Sequence, residues 1–180
     1  LKSYTDGDVF SGGAGGDIFS LEGAHGSTRT LTILDVGLGS DALVIPHSAG
    51  SYTHRVINAT VVAPWTATAA TVHDSGGWFS SSEINITTAG YAVDLSAVNG
   101  GNGGFNVTNT GPGTSLYGSL SRDGLTGGIE SDLLVGNGGA DSLIGGAGDD
   151  HLVGGAGDDH LHGESGYDSA TFGSVLSDFS

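Results

Sequence analysis

"GGAGDDHLVGGAGDDHLHG", residues 145–163, says nearly the same nine residues twice. It is too rich in Gly and Asp to bury a core of its own, so its shape must come from stacking or from something bound. Set in nines from Gly118, the chain reads GSLSRDGLT, GGIESDLLV, GNGGADSLI, GGAGDDHLV, GGAGDDHLH and GESGYDSAT. Position six is Asp in every row: Asp123, Asp132, Asp141, Asp150, Asp159 and Asp168. Position eight is Leu in five rows (Leu125, Leu134, Leu143, Leu152, Leu161) and Ala170 in the last, and position one is always Gly. The frame runs back with decay through residues 109–117, where Thr114 takes the Asp column, and 100–108, where Phe105 does. A separate row at 12–20 carries Asp17 and Phe19 in the matching columns, after the partial row SYTDGDVFS at 3–11.

The last three residues of a row, such as His151-Leu152-Val153, read as a short strand whose middle side chain alone turns inward. The six before them must reverse direction, and glycines at positions one, two and four are expected to supply positive φ there. Two rows make a coil of eighteen residues, with strands stacked in parallel at about 4.8 Å. A single inward Leu, worth ~2 kcal/mol, is too little to order nine residues. Stacking also aligns the acids, Asp132, Asp150 and Asp168 on one edge and Asp123, Asp141 and Asp159 on the other. Left alone, these columns repel. A hard cation held by carboxylates and turn carbonyls removes the repulsion, and such all-oxygen ligation suits Ca²⁺ better than Mg²⁺ or Zn²⁺.

The composition agrees: 35 Gly, 20 Asp plus Glu against 4 Lys plus Arg, and a net charge of −16. Nucleic acid and anionic membrane are poor partners for such a surface, whereas cations are natural ones. Without Cys, no disulfide staples the fold. Apolar runs such as 67–72 are far shorter than the ~20 residues of a spanning helix. The chain starts at Leu1 without a Met or a leader, and is expected to be a piece of a longer protein.

The rows resemble the calcium-binding nonapeptide repeats of RTX proteins, GGxGxDxUx with U a large apolar residue. Residues 145–153 and 154–162 match at every defined position, 136–144 and 163–171 as weaker copies. The resemblance implies an all-β, parallel β-roll. Its ligands would be the position-six aspartates, Asp17 included, completed by turn carbonyls of Gly136, Gly138, Gly145, Gly148, Gly154 and Gly157. Position five, Asp149 and Asp158, would contribute its backbone carbonyl. Glu130 and Ser121 replace Gly at position four, and Phe105 and Thr114 remove carboxylates, so the ion ladder is expected to be complete near 132–168 and to thin out toward 100. LDVGLGSDALVI at 34–45 is similar to the segment that closes a roll in many proteins of the family, which makes Asp35 and Asp41 candidate ligands.

The expected organisation is a short N-terminal turn (1–28), a β-rich irregular segment (29–99), the calcium-binding roll (100–171) and the start of a following segment (172–180). In 29–99, runs such as TLTILDV, VINATVVA and EINITTA read as strands. They are expected to continue the solenoid as wider, irregular coils, with a side sheet as the alternative. The sequence HDS at 73–75, with His47, Ser48 and His54, has the residue types of a hydrolase triad but lacks a nucleophile elbow, so no catalysis is expected. His151, His160 and His162 are outward-facing strand residues. Trp65 and Trp78 are core before they are sugar platforms.

The family implies type I secretion and an extracellular site, on the bacterial cell surface. The expected function is a calcium-stabilised structural repeat domain of an adhesin or surface-layer protein, with partners among other domains of the same long chain or a cell-surface ligand. The alternatives are the non-catalytic repeat module of a secreted enzyme or toxin (protease, lipase, alginate epimerase) and a sugar- or ice-binding module.

Overall fold

The computed structural model describes residues 8–10, 15–16, 18–20, 29–33, 42–45, 55–67, 71–73 and 82–173. All the regular structure among them is strand, and every strand pair is parallel. The chain winds as a β-solenoid. One eight-stranded sheet receives a strand from each coil: β1 (Asp8–Phe10), β3 (Arg29–Ile33), β5 (Arg55–Val61), β8 (Ser82–Thr88), β11 (Asn106–Asn109), β13 (Gly124–Gly128), β15 (Ser142–Ala147) and β17 (His160–Ser165).

The opposing side is divided. A four-stranded sheet holds β2 (Ile18–Ser20), β4 (Ala42–Ile45), β7 (Val72–His73) and β10 (Gly100–Gly101). A six-stranded sheet holds β6 (Trp65–Thr66), β9 (Val93–Asp94), β12 (Ser115–Tyr117), β14 (Leu133–Gly138), β16 (His151–Ala156) and β18 (Ser169–Thr171). The coils that begin at β5 and β8 therefore visit three sheets, and those from β11 onward visit two. Coil length follows. Ile57 pairs with Ile84 and Ile86 with Val107, steps of 27 and 21 residues, and from Val107 through Leu125, Leu143 and Leu161 each step is 18.

Two apolar columns fill the interior. Ala59, Ile86, Val107, Leu125, Leu143 and Leu161 stack on the eight-stranded sheet, and Trp65, Val93, Leu116, Leu134, Leu152 and Ala170 on the six-stranded one. The wide coils are richer in core than the roll: the coil at 82–105 buries Ile84, Ile86, Val93, Leu95, Val98 and Phe105.

Three readings of the repeat need correction. The strand of a row is not confined to positions seven to nine, because β16 runs on through Gly154, Gly155 and Ala156 of the next row. The interior is not one Leu wide either. Period-2 alternation brings positions six, eight and one to the same inward face, so Asp132, Leu134 and Gly136 are all buried. Finally, position-one glycines do not carry positive φ; that belongs to position two (Gly146, Gly155, and also Asn137 and Glu164) and position four (Gly139, Gly148, Gly157, Gly166).

Leu134 lies between Leu116 and Leu152 with no exposed surface, while Ile129 is 72% exposed on a turn. Leu134→Ala should destabilise the protein by about 2–5 kcal/mol and Ile129→Ala by roughly 0.5 kcal/mol or less. Thermal melts in excess calcium, read by circular dichroism, compare the two; equal shifts would show that the column does not carry the core.

Candidate metal sites

Because position six shares the inward face with the Leu column, its carboxylate is drawn into the wall of the solenoid. Asp123, Asp132, Asp141 and Asp150 are each 2–4% exposed. Asp159 is half-buried and Asp168 exposed in the last described coil. The chain uses one oxygen of each in the same way. Oδ1 of Asp141 accepts the N–H of Asp123 at 2.8 Å, and Oδ1 of Asp159 that of Asp141 at 3.0 Å. On the other edge, Oδ1 of Asp150 accepts from Asp132 at 2.8 Å and Oδ1 of Asp168 from Asp150 at 3.0 Å. The N–H groups of Phe105 and Thr114 donate to Asp123 and Asp132 at 2.7 and 2.6 Å, so the decayed rows keep the register after losing the acid.

The second oxygen is different. Oδ2 of Asp132, of Asp141 and of Asp150 is buried without a hydrogen-bond partner. It lies against the position-one glycine of its own row: a Cβ on Gly127 or Gly154 would meet the Oδ2 of Asp132 or Asp159 at 2.6 or 2.5 Å, and Gly136, Gly145 and Gly163 are approached more closely still. Position one is Gly because a carboxylate occupies the space of its side chain. The same built Cβ atoms on Gly127 and Gly136 also meet the carbonyl oxygens of Gly145 and Gly154, one coil on. A carboxylate oxygen and a backbone carbonyl of the next coil therefore converge beside Gly127, Gly136 and Gly145.

A buried anionic oxygen without a donor is costly unless a cation meets it. Burial, the largest cause, pushes Asp141 up to about 7 and Asp123 to about 6, and raises Asp132 and Asp150 as well. Like charges in the column add to this: Asp123 and Asp159 act on Asp141, Asp150 on Asp132, and Asp168 on Asp150. Among the described residues no group of three or more His, Cys, Asp or Glu side chains stands close enough to hold a metal. An ion here must draw on carbonyls, as the hard, irregular coordination of Ca²⁺ allows. Orphaned carboxylate oxygens flanked by backbone carbonyls fit that ion. The residues that would hold it are Asp132, Asp141, Asp150, Asp159 and Asp168, with the carbonyls of Gly145 and Gly154.

The remaining sequence candidates fall as follows. Oδ2 of Asp123 has partners of its own, the N–H and Oγ of Ser119 at 2.6 and 2.8 Å. Gly136, Gly145 and Gly154 line the carboxylates, while Gly148 and Gly157 make the positive-φ turn. The N–H of Gly138 donates to Ser119 O at 3.3 Å. Asp149 acts through its side chain too, Oδ1 accepting the N–H of Tyr167 at 2.9 Å. Asp17, Asp35 and Asp41 lie outside the described residues, as do His47, Ser48, His54, Asp74, Ser75 and Trp78. Trp65 is core, 2% exposed. His151 pairs with Ser169 Oγ at 2.6 Å, and His162 lies 3.8 Å from Glu164 on the surface. No helix among the described residues is long and apolar enough to cross a membrane.

Residues 135–170 match the family model of the RTX calcium-binding nonapeptide repeat, in four copies. No curated protein and no solved structure matches the chain.

The raised carboxyls make folding and ion binding pH-dependent with a definite sign. A carboxyl whose folded pKa lies above its unfolded value of ~4 stabilises the metal-free fold fully below that value and loses the effect as pH rises through about 7. Calcium must displace the same proton. The calcium midpoint for β-structure should therefore fall as pH rises from 6 to 8, and the metal-free chain should be more ordered at pH 5 than at pH 8. Circular dichroism titrations at fixed ionic strength check both; a midpoint independent of pH would contradict the burial of these oxygens.

Proposed function

We propose that this chain, whose residues 135–170 carry RTX calcium-binding repeats, is a structural segment of a type I-secreted bacterial surface protein, of adhesin or surface-layer type, folded outside the cell by the ion and without catalytic activity of its own. The observation that carries the calcium dependence is the set of buried, unpartnered Oδ2 atoms on Asp132, Asp141 and Asp150. Bound calcium would neutralise the acid columns and give these oxygens their missing partner. The backbone supplies the rest: Asp N–H groups hold each carboxylate in register, and position-one glycines leave room for it.

Such a roll cannot close while its columns repel, so it stays open where free calcium is low and folds where calcium is plentiful. Extracellular calcium modules work at Kd values of about 10⁻⁴–10⁻³ M, which suits export of an unfolded chain followed by folding outside. A quasi-one-dimensional array of like sites also suits a spacer or stalk, since each coil rests only on its neighbours.

Removing calcium should abolish the β-structure of residues 136–171. Far-UV circular dichroism in EGTA, then in several millimolar CaCl₂, measures this, and magnesium should not substitute because it demands octahedral geometry. An unchanged β-spectrum in EGTA would defeat the proposal.

A second reading, a face for a neutral repeating ligand such as ice or a glycan, has one observation in its favour. Asn58, Asn85 and Asn106 stack in register on the outer side of the eight-stranded sheet, linked Nδ2 to Oδ1 at 3.2 and 3.1 Å, beside exposed Thr60, Thr87 and Thr108. The Asn-x-Thr pattern is kept although the coils differ in length, and its Asn and Thr side chains carry no charge in a strongly acidic chain. On this reading, Thr87→Lys with Thr108→Lys should abolish retention on ice or polysaccharide while leaving the fold intact, as measured by affinity partitioning; equal retention of both forms would discount the face.

A further inference from the structure

Building on the calcium reading, we propose that each metal column ends at a donor supplied by the chain itself. Asn109 on one edge and Ser119 on the other stand in for the next cation. The wide coils thus hold without calcium and template the roll.

Row 109–117 departs from the roll at two coupled positions: Asn109 stands at position one instead of Gly, and Thr114 at position six instead of Asp. In the roll a side chain at position one and a carboxylate at position six compete for the same space. With Thr at position six, the space is open to an amide. Asn109 is 3% exposed. Its Nδ2 lies 2.7 Å from Pro112 O and 3.4 Å from both Gly111 O and Asp132 Oδ1, and its Oδ1 accepts the N–H groups of Gly90 and Gly111 at 2.8 and 3.0 Å. Two turn carbonyls and a position-six carboxylate of the following coil are the kind of oxygens a hard cation would gather. Here they surround an NH₂ group with two protons to donate.

The other edge ends by different chemistry. Asp123 is as buried as Asp141, yet its Oδ2 takes the N–H and hydroxyl of Ser119, and Ser119 Oγ in turn accepts the N–H of Ser121 at 3.1 Å. Ser119 holds position two without the positive φ of Gly146 and Gly155. The carboxylate is thereby satisfied from inside its own row. On the N-terminal side of these two stops, the coil at 82–105 has a broad apolar interior, and Thr88 Oγ1 both accepts the N–H and donates to the carbonyl of Tyr91 at 2.9 and 2.7 Å. Burial and internal hydrogen bonds there leave no need for an ion.

The test uses the full chain and Asn109→Asp, which removes the donor and adds an oxygen. In EGTA, hydrogen exchange should show residues 82–117 protected and 136–171 open in the wild type, and protection of 82–117 reduced about tenfold or more in Asn109→Asp. In several millimolar CaCl₂ that protection should return, with calorimetry counting one further ion per chain. Ser119→Gly should show the same loss in EGTA at 118–128. A wild type that binds calcium, with variants that keep their protection in EGTA and the same ion count, would overturn this proposal alone. Failure of Asn109→Asp to order even in calcium would also overturn it, since the oxygens could not then accept a cation. A wild type that binds no calcium would remove the calcium reading itself and this proposal with it.

Discussion

Each coil of the roll is tied to the next by a carboxylate that reaches back to the backbone N–H one turn earlier, and everything else depends on what happens to the oxygen left over. One oxygen holds the register of Asp123, Asp141 and Asp159 on one edge and of Asp132, Asp150 and Asp168 on the other. In Asp132, Asp141 and Asp150 the other is buried against a glycine without a hydrogen-bond partner. A repeat that buries three inward groups per nine residues, of which one is a charged acid and one has no side chain, cannot be closed by apolar burial. With calcium in these sites, stability would be a property of the ion and the array together.

The same constraint explains why the coil can change width without losing its sheets. Between Arg55 and Gly101 the chain visits three sheets per turn and fills the larger interior with Ile, Val, Leu, Ala and Trp. From β11 onward it visits two, and Asp and Gly replace the bulk. The eight-stranded sheet runs through both regimes because parallel pairing needs only matched strands, not equal loops. At the junction, polar side chains take over: Ser119 satisfies Oδ2 of Asp123, Asn109 reaches Oδ1 of Asp132, and Glu130 Oε2 accepts the N–H of Gly113 at 3.4 Å.

An acidic, glycine-rich chain is open to disorder by composition alone. The device that resists it is local and repeated. Glycine serves two separate ends, at positions two and four by adopting positive φ and at position one by yielding its side-chain volume to a carboxylate. Asn137 and Glu164 show that position two tolerates a side chain at positive φ, at φ 71° and 72°. Position one, with the carboxylate beside it, is Gly in all six rows from 118 to 171.

The chain alone carried the nine-residue period, the Asp and Leu columns and their division between two edges, and from these the parallel roll, with a hard cation as the expected partner of the acids. Those are legible because translation along a solenoid puts residues eighteen apart on top of one another, so a pattern in the chain is a pattern in space. The inward turn of Asp was also within reach, since position six is two residues before Leu on a strand of period two. Only the tertiary structure decided how far the strands run, which oxygen of each Asp is satisfied, and where the ladder stops. Asn109 meets Asp132 across 23 residues, and Asn58, Asn85 and Asn106 align across 27 and 21, intervals set by coil width rather than by any fixed repeat. Where the coil length varies, spacing in sequence no longer maps onto height in the stack, and contacts between side chains exist only once the backbone has been wound.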